Sequence, residues 1–121
     1  MEAGERRSGE MTFYVVRHGQ TLFNVMGKVQ GWCDTPLTDE GVRAAQSLGR
    51  GLAEVDFSAA YSSDSGRAVH TLDELLRARG SGGPFGPYDD MRLRESCYGD
   101  LEGEPGELLH ATLDAGFGAP L

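Results

Sequence analysis

Lysine is almost missing from this chain: Lys28 is the only one, and the other ten of its eleven cations are arginine. Set against 19 Asp and Glu, they leave a formal net charge of −8. A chain this acidic is a poor non-specific binder of nucleic acid or of an anionic membrane. An anionic ligand must be gripped by particular arginines, whose planar fork meets a phosphate through two N–H groups at once. Long apolar runs are missing too, so no segment reads as a membrane span. Cysteine is scarce. Cys33 and Cys97 make no disulfide framework and stand at no metal-ligand spacing with a His, so reduced thiols, no metal and a cytoplasmic location are expected. Met1–Glu10 is polar and mixed in charge, unlike a signal peptide, and is expected to be a disordered lead before Met11.

What is present fits a single domain of 121 residues. Thr12–Val16 is a short apolar run that reads as a strand buried on both faces. A long loop follows from Arg17 to Leu37, with Gly19, Gly27 and Gly31 as its flexible points. Thr38 is placed as an N-cap, Asp39 and Glu40 suit the first-turn dipole, and the apolar spacing from Val42 to Leu52 predicts a helix over 39–53. Phe57–Ser62 reads as a second strand. Asp64 or Ser65 caps a second helix that ends by Gly80. Residues 80–87 read as a flexible loop, and 91–94 as a weak third strand. A short helix starting near Pro105 is expected to bury Leu108, Leu109 and Thr112, and the tail from Gly116 to fray. Strands alternating with helices argue for a parallel sheet.

The first strand ends abruptly in Arg17-His18-Gly19. Ligands collect at the carboxyl ends of strands in open α/β sheets. A lone Arg-His pair is ordinarily a surface turn, but here a cation, an imidazole and a glycine permitting close backbone approach stand together. The rest of the chain decides between the two.

Val16-Arg17-His18-Gly19-Gln20-Thr21-Leu22-Phe23-Asn24 resembles the signature of the histidine phosphatase superfamily, in its phosphoglycerate-mutase-like branch. Three further blocks resemble the same branch in the same order: Gln30 to Thr38, Ser62 to Thr71, and Leu93 to Gly103. The resemblance implies an α/β fold, a three-layer αβα arrangement with a mostly parallel sheet. It also implies that the fold is incomplete, because family members run longer and carry a second catalytic His, commonly before Gly. His70 and His110 do not match that residue, so 11–121 is expected to be the N-terminal part of one such domain.

By the same resemblance, His18 is the phosphorylated nucleophile, Arg17 and Arg67 clamp the phosphoryl oxygens, Asn24 donates a further hydrogen bond, and Glu95 is the general acid. Phosphoryl transfer needs these parts: an in-line nucleophile, charge neutralisation and a proton for the leaving oxygen. To donate near neutral pH, Glu95 needs its pKa raised by burial or neighbouring anions. Free N–H groups at the start of the Arg67 helix would add to the positive end. His70 reads as structural, and Trp32 and Phe23 as loop packing, with Trp32 able to wall a substrate pocket. The expected partner is a small phosphorylated metabolite, with no cofactor. A non-catalytic phospho-ligand binder and an inactive fragment are the competing readings. Neither the choice between phosphatase and mutase nor the oligomeric state can be read from these residues.

Overall fold

The computed structural model describes residues 9–80 and 83–117, with side chains to Leu113. Met1 to Ser8 and the end of the tail, Gly118 to Leu121, lie outside the described residues, and with them most of the expected lead and of the fraying tail. In chain order the elements are α1 (Leu22–Met26), α2 (Asp39–Gly51), β1 (Ala59–Ser62), α3 (Gly66–Arg79), β2 (Phe85–Asp89), 3-10 turns at Met91–Leu93 and Gly99–Leu101, and α4 (Gly106–Phe117).

β1 and β2 pair in parallel with α3 between them, a β-α-β unit of the expected α/β class. Both helices of the central pair begin where their caps predict. Thr38 Oγ1 accepts from the Gly41 amide at 3.1 Å, and Ser65 precedes α3. α2 and α3 pack face to face through Ala45, Leu52 and Leu75, all buried. Gly49 lets the backbones approach, since a Cβ there would run into the Leu75 carbonyl.

Four expectations about elements are corrected. Thr12–Val16 forms no strand: neither described strand pairs with it, and apolar pattern cannot replace hydrogen-bonded neighbours. Nor is it buried on both faces: Phe13 and Val15 are 78% and 93% exposed, and Tyr14, 40% exposed, lays its ring edge-on to Phe57 at 5.2 Å. The presumed loop 80–87 yields most of β2. A register shift between Ala59 and Tyr61 accommodates Gly86-Pro87, where a proline has no N–H for a ladder. The weak strand at 91–94 is a 3-10 turn instead, because Asp90 accepts from the Arg92 amide at 2.9 Å and closes a local turn. α4 forms, but Leu108 and Thr112 are exposed and Leu109 only half-buried.

The segment 17–37 is not a loose loop either. Thr21, fully buried, caps α1 reciprocally with Asn24. The Leu22 amide donates to Pro36 O at 3.0 Å and the Thr38 amide to Gln20 O at 2.9 Å, closing the segment on itself. Gly27 ends α1 at φ 66, the left-handed region that glycine favours.

These packing differences fix the sign of two substitutions. Gly49→Ala forces a backbone clash between α2 and α3 and is expected to destabilise by about 1–3 kcal/mol. Gly51→Ala, where a Cβ meets nothing, is expected to be neutral or to stabilise by up to about 1 kcal/mol. Urea unfolding of the two variants beside the unmodified chain checks both; equal effects would contradict the packing.

Candidate active site

His18 follows the unpaired segment and is half-buried. Its Nδ1 lies 2.7 Å from the Gly19 carbonyl oxygen. Gly19 is pinned in turn. Its amide donates to Thr71 Oγ1 at 3.0 Å, and a Cβ on it would strike the Gly41 carbonyl region. Thr71 Oγ1 donates to the Arg67 carbonyl one turn earlier in α3, at 2.7 Å. The His18-Gly19 segment is thereby tied to the helix that carries Arg67. Arg17 stands beside His18 with its side chain exposed.

Arg67 is 3% exposed. Its Nη1 donates to Cys33 O at 2.7 Å and to Asp34 Oδ1 at 3.1 Å, and its Nη2 donates to Gly31 O at 2.7 Å. Both terminal nitrogens therefore bond to the 31–34 loop, Nη1 twice and Nη2 once. Asp34 Oδ1 also accepts from the Arg67 amide at 3.2 Å. This carboxylate occupies the start of α3, where free N–H groups were expected. Asn24 is likewise engaged: its Oδ1 accepts from the Thr21 amide at 3.0 Å. Only its amide nitrogen is left for the donor role read from the sequence.

The far side of the 31–34 loop is held by Glu102, a residue to which the sequence reading gave no role. Its carboxylate accepts from the Gly31 amide at 2.9 Å and from the Trp32 and Tyr98 amides at 2.6 Å and 3.3 Å. Burial works against its charge, but the hydrogen bonds from Cys33, Gly31, Trp32 and Tyr98 outweigh that and hold it at about 2, against an ordinary 4.5. The Cys33 thiol, between this carboxylate and the Val29 carbonyl, is raised above its ordinary value by burial and by Glu102. Backbone pairing across Lys28 and Pro105 clips the same region to the segment before α4.

Glu95 lies between the two 3-10 turns and is exposed, so the structure does not supply the burial expected for it. Its Oε1 accepts from the Ser96 amide at 2.8 Å and from the Tyr98 hydroxyl at 3.4 Å. It lines a cavity of about 250 Å³ together with Trp32, Asp34, Asp64 and Arg94, among others. Asp34 is paired with Arg67 and Asp64 with Arg94, and Trp32 forms part of the cavity wall. Arg17, His18 and Arg67 are not among the lining residues; hydrogen bonds through Gly19 and Thr71 link His18 to Arg67, and the 31–34 loop with Trp32 links Arg67 to the Glu95 carbonyl. Within α3, His70 Nε2 lies 3.4 Å from the Glu74 carboxylate. Among the described residues no cluster of three His, Cys, Asp or Glu is placed to hold a metal, and no helix is long and apolar enough to cross a membrane.

The family model of the histidine phosphatase superfamily (branch 1) matches residues 13–119. This chain belongs to that superfamily. It is 40% identical over 96 residues to a 2,3-bisphosphoglycerate-dependent phosphoglycerate mutase of Bradyrhizobium diazoefficiens, covering 78% of this chain and 46% of the relative. It is 37% identical to the fructose-2,6-bisphosphatase TIGAR of Mus musculus, covering 84% of this chain and 38% of the relative. The crystal structure of phosphoglycerate mutase from Bacillus anthracis superposes with a TM-score of 0.77 at 36% identity, over 84% of this chain and 44% of that one. The chain spans less than half the length of the curated relatives it matches.

The Glu102 anchor gives a pH dependence of definite sign. Its folded pKa is depressed, so its contribution is present above about 4.5 and is lost as pH falls toward 2. Trp32 is the only tryptophan, and its fluorescence reports the loop. The emission is expected to stay constant from neutral pH to about 4.5 and to shift below it. Glu102→Gln is expected to show the shifted emission already at neutral pH and to destabilise by about 1–3 kcal/mol. A variant with unchanged emission would remove Glu102 from the anchor.

Proposed function

We propose that this chain carries the nucleophile and proton-donor parts of an enzyme that transfers phosphoryl groups from small phosphate monoesters through a phosphohistidine at His18. The observation that carries this reading is the contact between His18 Nδ1 and Gly19 O at 2.7 Å. A carbonyl only accepts, so Nδ1 bears the proton and Nε2 keeps its lone pair. Nε2 attacks phosphorus, the N–P bond forms and the ester P–O bond breaks. The leaving alkoxide takes the proton of the Glu95 carboxyl. Water then attacks phosphorus and gives a proton to the Glu95 carboxylate, and breaking of the N–P bond releases phosphate. A second alcohol in place of water makes the same site a mutase.

Arg17, exposed beside His18, faces the transferring oxygens in this reading. Arg67 contributes its positive charge from below and holds the 31–34 loop, with Asn24 giving one hydrogen bond from its amide nitrogen. The names of the relatives, a phosphoglycerate mutase and a fructose-2,6-bisphosphatase, support a small phosphorylated metabolite as substrate. The net charge of −8 argues against nucleic acid or an anionic membrane as partner and fits a cytoplasmic enzyme without cofactor. One observation favours the competing reading of an inactive fragment: residues 12–16 leave Phe13 and Val15 exposed with no ladder partner in the described sheet.

Phosphoramidate, a small reactive phosphoryl donor, separates the two. After incubation, phosphorus and nitrogen NMR are expected to show a single phosphohistidine at Nε2 of His18, absent in His18→Ala and unaffected by chelator. Turnover of an aryl phosphate is expected to be at least about a hundredfold below that of an intact family member, since one lost preorganised donor alone costs that much. Phosphorylation at Nδ1, or none at His18, would overturn the proposal.

A further inference from the structure

Glu95 occupies an irregular stretch between two 3-10 turns and is exposed, so no regular element fixes it. Its neighbours do. Arg94 binds Asp64 through both ends of its fork, Nε to Oδ1 at 2.6 Å and Nη2 to Oδ2 at 2.7 Å. Asp64 stands just before Ser65, the N-cap of α3, so the pair anchors the Glu95 segment to that helix. The Arg94 guanidinium also lies 4.8 Å from the centre of the Trp32 ring. Trp32 Nε1 in turn donates to the Glu95 carbonyl at 3.0 Å. The backbone at 94–95 is thus held from two sides, by an ion pair to α3 and by an indole from the 31–34 loop. All four residues line the same cavity.

We infer that Asp64, Arg94 and Trp32 are positioning residues that aim Glu95 into that cavity. The inference rests on the reading of Glu95 as the proton donor. A general acid works only within hydrogen-bond reach of the atom it protonates, and a displacement of an ångström costs much of its effect. The parts suit such a task. The bidentate Arg–carboxylate pair fixes direction as well as distance, which a lysine could not do. The indole ring is stacked on the cation and bonded at its nitrogen, so it has little freedom to rotate.

The single tryptophan makes the anchor visible. Its indole N–H gives one resonance, and exchange of that proton reads the bond to Glu95 O directly. In Arg94→Met and in Asp64→Asn, protection is expected to fall about tenfold or more, and the double variant to fall no further than the worse single, since the pair acts as a unit. Protection within about twofold of the unmodified chain in both variants would overturn the inference. A kinetic arm tests the consequence. Proton donation matters for an alkyl leaving group and little for a nitrophenolate, so the ratio of kcat on an alkyl phosphate to kcat on nitrophenyl phosphate isolates it. The ratio is expected to drop about tenfold or more in Arg94→Met and Asp64→Asn, and in Glu95→Gln as the reference. Arg94→Lys, which keeps the charge without the fork, is expected to recover only part of it. A ratio lowered in Glu95→Gln but not in the other two overturns the inference. A ratio unchanged in Glu95→Gln overturns the reading of Glu95 instead. Should the unmodified chain turn over neither ester, phosphohistidine formation at His18 decides the proposed function and indole exchange decides the anchor.

Discussion

A buried guanidinium cannot be left without acceptors, and Arg67 is 3% exposed. The 31–34 loop supplies them: the carbonyls of Gly31 and Cys33 and the carboxylate of Asp34. Those groups come from more than thirty residues earlier in the chain. The loop therefore takes its shape from the helix start below it, and Gly31 is buried so tightly that a Cβ would collide with Ser96 O. Breaking this cluster by removing the cation strands three acceptors at once, the kind of loss that a few kcal/mol of net stability does not absorb.

From Arg67 the network runs in two directions. Through its carbonyl and Thr71 it reaches Gly19, whose own carbonyl oxygen lies 2.7 Å from His18 Nδ1. Through the 31–34 loop it reaches Trp32 and so the backbone of Glu95, with Glu102 holding the loop from the other side. The segments that carry the family resemblance are thus one hydrogen-bonded assembly around α3. His18 and Glu95 are placed by these backbone contacts, which regular secondary structure on its own does not provide at either residue.

Much of this was legible in the residues. A cap at Thr38, one at Asp64 or Ser65, and the apolar spacing after them located α2 and α3, because those signals are local. The blocks that carry Arg17-His18-Gly19, Arg67 and Glu95 were enough to mark the family. What was not legible depended on partners distant in sequence. Thr12–Val16 has the composition of a buried strand, yet a strand exists only beside another, and none of the described strands lies beside it. Arg67 was read as an open clamp because its acceptors at 31–34 cannot be inferred from spacing. Glu102 and Thr71 lay inside recognised blocks, but nothing in their type distinguishes an anchor from a solvated side chain. Thr71 carried one faint signal, its position four residues after Arg67, within reach of that carbonyl.

Amide hydrogen exchange on Arg67→Ala reads the whole network at once. If the guanidinium is what the site depends on, protection at the Gly31 and Trp32 amides collapses together with that at the Gly19 amide, while the amides within α2 keep theirs. Loss confined to the 31–34 loop, with Gly19 still protected, would show that His18 is placed independently of Arg67 and would contradict the coupling described here.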